Sequence, residues 1–284
     1  MTPKQKNLIV RSLTGIVFVL VMVGGIVYDR ATFGALFTII TIFAVREFCH
    51  IVSQRPDVDV NSMISSVSAA YLFLAFFGYC SGITPTAAVF VPYLISIVYL
   101  LISELYLQRE SPLNNWAFTM LGQMYVALPF ALLPALVFVG DPAHPMEIHY
   151  RWIFPLSVFI FLWTSDTGAY CFGSLFGKHR LFERISPKKS WEGSIGGAFT
   201  SLLAAYIISL WDSSLTLPQW LGFSLVVVIF GTWGDLVESL LKRQLGLKDS
   251  GNILPGHGGL LDRFDSSLLA IPASLVYLYT LSIV

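Results

Sequence analysis

The sequence predicts an all-α, polytopic integral membrane protein with about nine transmembrane helices and a cytosolic N-terminus. Three observations lead there. Only 12% of the 284 residues are charged, against about 25% in a soluble domain. The mean hydropathy is +0.72, and apolar runs long enough to span a bilayer recur along the whole chain. Finally, the basic residues segregate to one side once those runs are threaded through a membrane. Composition thus excludes an ordinary soluble enzyme, a disordered chain and a nucleic-acid binder with a broad basic face. Lys+Arg and Asp+Glu are both 17, so charge is informative only through its distribution.

A helix needs about 20 mostly apolar residues to cross the hydrocarbon core. Nine runs meet this: 12–28, 31–50, 62–80, 86–107, 114–139, 151–174, 193–211, 217–241 and 259–282. The first follows Lys4, Lys6 and Arg11 like a signal peptide, but it is long for one and further spans follow at once. Only Asp29 and Arg30 divide it from the second. With the N-terminus in the cytosol, fifteen Lys and Arg residues fall inside, and only Arg30 and Arg151 fall outside, as the positive-inside rule requires. The polar stretches 175–192 and 242–258 then face the cytosol. The chain divides into an N-terminal scaffold of spans one to five (1–150) and a catalytic region (151–284). Cys49, Cys80 and Cys171 are odd in number and widely spaced, which argues against a disulfide framework or a structural zinc site.

Five acids punctuate the last apolar runs: Asp166, Asp235, Glu238, Asp262 and Asp265. An acid at that depth costs about 2.5–3.5 kcal/mol on insertion scales unless it faces a cavity or a partner. The threading places all five near the cytosolic headgroup level. Asp235 and Glu238 are three apart, as are Asp262 and Asp265, so each pair shares a helix face. Oxygen-only donors suit Mg²⁺, which binds through one or two carboxylates plus substrate phosphates. The plainer alternative is structural pairing with Lys242, Arg243 or Arg263, most readily for Glu238.

The cytosolic loops supply complementary charge. Residues 186–193 read Ser-Pro-Lys-Lys-Ser-Trp-Glu-Gly, and 242–259 hold Lys242, Arg243, Lys248 and His257 among Gly256, Gly258 and Gly259. Bases and close-approach glycines beside carboxylates are what a polyphosphate ligand needs. Positive-inside topology alone explains the bases but not the glycines, the histidine and the acids. The segment from Gly173 to His179 is one residue short of a Walker A loop and has His where Ser or Thr belongs. Gly173 and Gly177 read instead as a helix-packing GxxxG.

The 27 residues from Ser239 to Asp265, SLLKRQLGLKDSGNILPGHGGLLDRFD, resemble the signature of the phosphatidate cytidylyltransferases, or CDP-diacylglycerol synthases. Asp166-Thr-Gly-Ala-Tyr170 and Ile185 to Gly193 resemble further blocks of that family, so the likeness covers roughly 160–265. It implies the reaction CTP + phosphatidate → CDP-diacylglycerol + pyrophosphate, with Mg²⁺ as cofactor and a homodimeric assembly. The implied metal ligands are Asp235, Asp262, Asp265 and Asp166, with two cations expected and Mn²⁺ able to substitute. The three C-terminal aspartates, with Lys242 and Arg243, form the expected catalytic set. Ser186, Lys188, Lys189, Lys248, Asp249, His257, Gly258, Gly259 and Arg263 are the expected substrate-binding set. The partners are CTP, phosphatidate and membrane lipid, with no nucleic acid. The short segment before the first span favours a bacterial inner membrane, with the site on the cytosolic face. Two alternatives stay open: a CTP-dependent polyprenol or dolichol-type lipid kinase, and a cation-coupled transporter. The signature weighs against the kinase. The skew of the acids to one leaflet weighs against the transporter.

Overall fold

A computed structural model of the chain describes residues 3–140, 147–247, 249–251 and 258–284, with side chains from Ser12 onward. The chain forms two compact units, Met1–Trp152 with Leu245–Phe264, and Ile153–Gln244 with Asp265–Val284.

The first unit holds α1 (Pro3–Val27), α2 (Arg30–Val52), α3 (Ser62–Cys80), a 3₁₀ turn (Ala87–Phe90) leading into α4 (Val91–Leu107), α5 (Pro112–Leu121) and α6 (Leu128–Val137). A π-helical stretch, Gly122–Ala127, joins α5 to α6. Its centre is an aromatic cluster in which Phe33, Phe37 and Phe73 pack ring to ring and Tyr150 closes on Phe33. The strands β1 (Phe138–Gly140) and β2 (Ile148–Tyr150) pair antiparallel, and the Tyr150 hydroxyl donates to the Ile26 carbonyl at 2.6 Å. Two buried polar side chains of this unit have well-placed partners. Glu104 accepts from Arg109 at 2.8 Å and from Asn115 at 2.9 Å. Gln123, in the π stretch, donates to the Ser65 carbonyl at 2.9 Å.

The second unit holds α7 (Ile153–Phe176), β3 (Arg180–Phe182), β4 (Ser186–Ser190), α8 (Trp191–Ser209), α9 (Leu217–Gln244) and most of α10 (Leu261–Thr280), whose first turn belongs to the first unit. Trp220, Phe161 and Phe223 build its core. α7 and α8 lie almost backbone to backbone. A Cβ at Gly197 would stand 2.6 Å from the Ser165 carbonyl oxygen, and one at Gly193 would stand 3.2 Å from Gly173 Cα. Gly173 thus serves helix packing, as the GxxxG reading expects.

Each of the nine expected runs is occupied by helix. Among the described residues, five helical segments are long and apolar enough to cross a membrane: Arg30–Val52, Ser62–Cys80, Ala87–Leu107, Pro112–Val137 and Leu217–Gln244. The two hairpins are an addition to the all-α expectation. Three of these strands have only three residues, too few to leave an alternating pattern, and β4, Ser-Pro-Lys-Lys-Ser, shows no alternation. The three cysteines are unbridged.

Candidate active site

In the second unit the site is built around the β3–β4 hairpin. Arg180 pairs with Ser190 and Phe182 with Ser186, so the turn delivers Lys188 and Lys189 just before α8 begins. Ser190 caps that helix, its Oγ accepting from Gly193 N at 3.1 Å. Glu192, just ahead of the apolar run of α8, ties down the other end of the hairpin. It accepts from Lys178 N at 3.1 Å and from His179 N at 3.2 Å, and meets the His179 ring at 2.6 Å. The hydrogen bonds from His179, its ring foremost, hold the Glu192 carboxyl down at about 2.

A cavity of about 340 Å³ opens beside the hairpin, lined by Asp166 and Tyr170 of α7, Lys188 and Lys189 of β4, and Thr232 and Asp235 of α9. Lys189 Nζ lies 2.5 Å from Asp235 Oδ2, with each side chain about a quarter exposed. Ser239, one turn along α9, donates to Asp235 Oδ1 at 3.1 Å. The adjacent Gly234 lets α9 approach α10 closely, since a Cβ there would stand 2.6 Å from the Asp265 carbonyl oxygen. Asp265 accordingly has Asp235, Glu238 and Asp166 as charged neighbours. Glu238 is fully buried and paired with Lys242 at 2.7 Å across one helical turn. This is the structural pairing the sequence left open for Glu238, and it engages Lys242. Arg243 is exposed at the end of α9, and Ser186 and Lys188 lie on the hairpin.

In the first unit Asp262 sits in the first turn of α10. Its Oδ2 accepts from Ser250 N and from Gly259 N, each at 2.9 Å. Gly258 adopts φ +83°, a left-handed conformation that glycine takes without steric cost. Asp249 and Arg263 are exposed. Lys248 and His257 lie outside the described residues. One participant escaped the sequence reading. Glu47 of α2 is only 6% exposed. Its carboxylate accepts from Leu260 N at 2.8 Å, Leu261 N at 3.2 Å and the Ser250 hydroxyl. An acid near the C-terminal end of the second apolar run was the available signal, masked by the neighbouring Arg46.

The donor chemistry suits a hard divalent cation. The groups around Asp265 are carboxylates, and hydroxyls of Thr232 and Ser266 line the same cavity. Among the described residues no three acidic, histidine or cysteine side chains converge tightly enough to hold a metal alone.

The comparisons with known proteins agree with one another. The sequence matches the Cytidylyltransferase family over residues 9–281. A phosphatidate cytidylyltransferase of Staphylococcus aureus (strain COL) is 33% identical over 267 residues, covering 93% of this chain and 96% of that protein. A second, of Staphylococcus haemolyticus (strain JCSC1435), is 40% identical over 181 residues, 63% of this chain and 65% of its own length. A third, of Staphylococcus epidermidis, is 48% identical over 118 residues, 41% and 45% of the two chains. With nearly its whole length matched, and with a cavity that sets lysines against aspartates, the chain belongs to the cytidylyltransferase family.

Proposed function

We propose that the protein transfers the cytidylyl group of CTP to the phosphate of phosphatidate, forming CDP-diacylglycerol and pyrophosphate. The observation that carries this is the cavity in which Lys188 and Lys189 meet Asp166 and Asp235, in a chain whose relatives bear that enzyme's name. A phosphatidate oxygen attacks the α-phosphorus of CTP, a new P–O bond forms, and the bond to the β-phosphate oxygen breaks in line. The nucleophile is already anionic, so no general base is needed. The work left to the protein is positioning and charge neutralisation. Lys188, Lys189, Lys248, Arg243 and Arg263 hold phosphate oxygens, with Ser186, Asp249, His257, Gly258 and Gly259 shaping the substrate loops. Lys189 rests on Asp235 until a phosphate shares it, which keeps both groups in place. Asp235, Asp265, Asp166 and Asp262 would hold magnesium, which when bound supplies further neutralisation of the phosphate oxygens.

The same reading takes all nine helical runs as spans, with the N-terminus and the site on the cytosolic side of a bacterial inner membrane, and the chain as a homodimer. The test is purified protein in lipid nanodiscs with phosphatidate, Mg²⁺ and CTP labelled on the α- or the γ-phosphate. Label from the α position should enter the lipid and label from the γ position should not. The reverse would establish a lipid kinase, and label from neither would remove the proposal.

A further inference from the structure

The carboxylate of Glu47 meets three donors at once. Oε2 accepts from Leu260 N at 2.8 Å, and Oε1 accepts from Leu261 N at 3.2 Å and from the Ser250 hydroxyl. Leu260 and Leu261 are the residues at which α10 starts. Their N–H groups have no partner inside the helix, and a negative charge there also opposes the positive end of the helix dipole. Ser250 passes the contact on. Its Oγ accepts from Asp262 N at 3.3 Å, and its own N–H donates to Asp262 Oδ2 at 2.9 Å. The fit is tight: a Cβ at Gly259 would overlap the Glu47 carboxylate, and one at Gly251 would stand 3.1 Å from Glu47 Cδ.

We infer that Glu47 is a positioning residue for the reaction, a buried clamp on α2 that holds Ser250 and the Leu260–Leu261 start of α10, the two described flanks of the substrate loop, and thereby sets the orientation of Asp262. This rests on the functional reading above for what the loop does, but the clamp itself does not depend on it. Glutamine at 47 would keep the size of the side chain and replace one acceptor oxygen by a donor NH₂. The three donors could not then all be met, and one N–H or O–H would face another donor. Loss of a positioning contact falls on the organisation of the transition state rather than on substrate capture.

The test uses the full chain in nanodiscs. Glu47→Gln should raise amide exchange at Ser250, Gly259, Leu260 and Leu261 at least tenfold, measured without substrate, while exchange elsewhere in α2 stays as it was. With substrates, kcat should fall at least tenfold with KM for CTP within about twofold. Ser250→Ala leaves the contacts of Glu47 to Leu260 and Leu261 and that of the residue-250 N–H to Asp262 Oδ2, and removes the hydroxyl bridge between Glu47 and Asp262 N. It should give the same pattern with a smaller loss, and it serves if Glu47→Gln fails to fold. Wild-type exchange in the loop, or wild-type kcat per folded molecule, would overturn the inference. The exchange measurement needs no turnover, so a protein that makes no CDP-lipid would count against the proposed function and not against the clamp.

Discussion

Lys189→Ala separates the chemistry of the cavity from its architecture. The ammonium stands 2.5 Å from Asp235 Oδ2, and both side chains are about a quarter exposed. A partly solvated pair of this kind adds about 1 kcal/mol or less to stability, or about 2–4 °C in melting temperature for a chain of this size. The effect on turnover should be much larger. If Lys189 also binds a phosphate oxygen, a charge-assisted hydrogen bond of about 1.5–3 kcal/mol is lost, which is about tenfold to a hundredfold in kcat/KM. Phosphatidate-dependent release of pyrophosphate from CTP, normalised to folded protein by thermal melting in detergent, reads both quantities. In a double-mutant cycle with Asp235→Asn the two losses should fall short of adding, because the residues act on one another. A variant with wild-type kinetics would refute the phosphate role. A variant that loses stability and activity in proportion would reduce the pair to an ion bridge.

Other expectations follow from single contacts. Asp262→Asn keeps an acceptor for Ser250 N and Gly259 N and removes a charge. The protein should fold and lose activity about 10²-fold, partly recovered at high Mg²⁺ or with Mn²⁺ in a metal titration. Gly234→Ala would push a Cβ to 2.6 Å from the Asp265 carbonyl oxygen. Overpacking of about 1–3 kcal/mol should lower the melting temperature and depress turnover together, because α9 carries Asp235. Glu192 is held at about 2, below its unfolded value, so its tie to the hairpin is complete above about pH 4.5 and is lost as the pH falls towards 2. Glu192→Gln should therefore loosen the hairpin at neutral pH, so that trypsin cuts faster at Arg180 and Arg184, which are exposed but held in place in the wild type. Cysteines placed in 178–190 should react with an impermeant reagent only from the cytosolic side, and one replacing Asp212 only from the other.

The apolar runs were legible because span length is a physical constant of the bilayer, and a helix occupies every one of them. What failed to register were features smaller than the window used to see them. The β3–β4 hairpin reads in sequence as a polar loop, since its order comes from Glu192, whose partners Lys178 and His179 lie 14 and 13 residues earlier and meet it only after folding. The acids of the last apolar runs drew notice through their i, i+3 spacing, but spacing does not say what each one touches. Glu238 turned out to hold Lys242, while Asp235 holds Lys189 from a hairpin 46 residues earlier in the chain. Glu47 lay furthest from view. A single acid in an N-terminal span has no local companion, and its donors are 203 or more residues away.

That separation has a consequence for biosynthesis. At about 5–20 residues per second, the ribosome needs about 10–40 s to go from Glu47 to Ser250. Over that interval α2 waits in or near the bilayer with a carboxylate whose donors do not yet exist. It can make its final contacts only when Ser250 and the start of α10 arrive. The order of synthesis and the order of burial therefore differ, and a nascent chain stopped short of residue 250 exposes a charged second helix that a finished chain conceals.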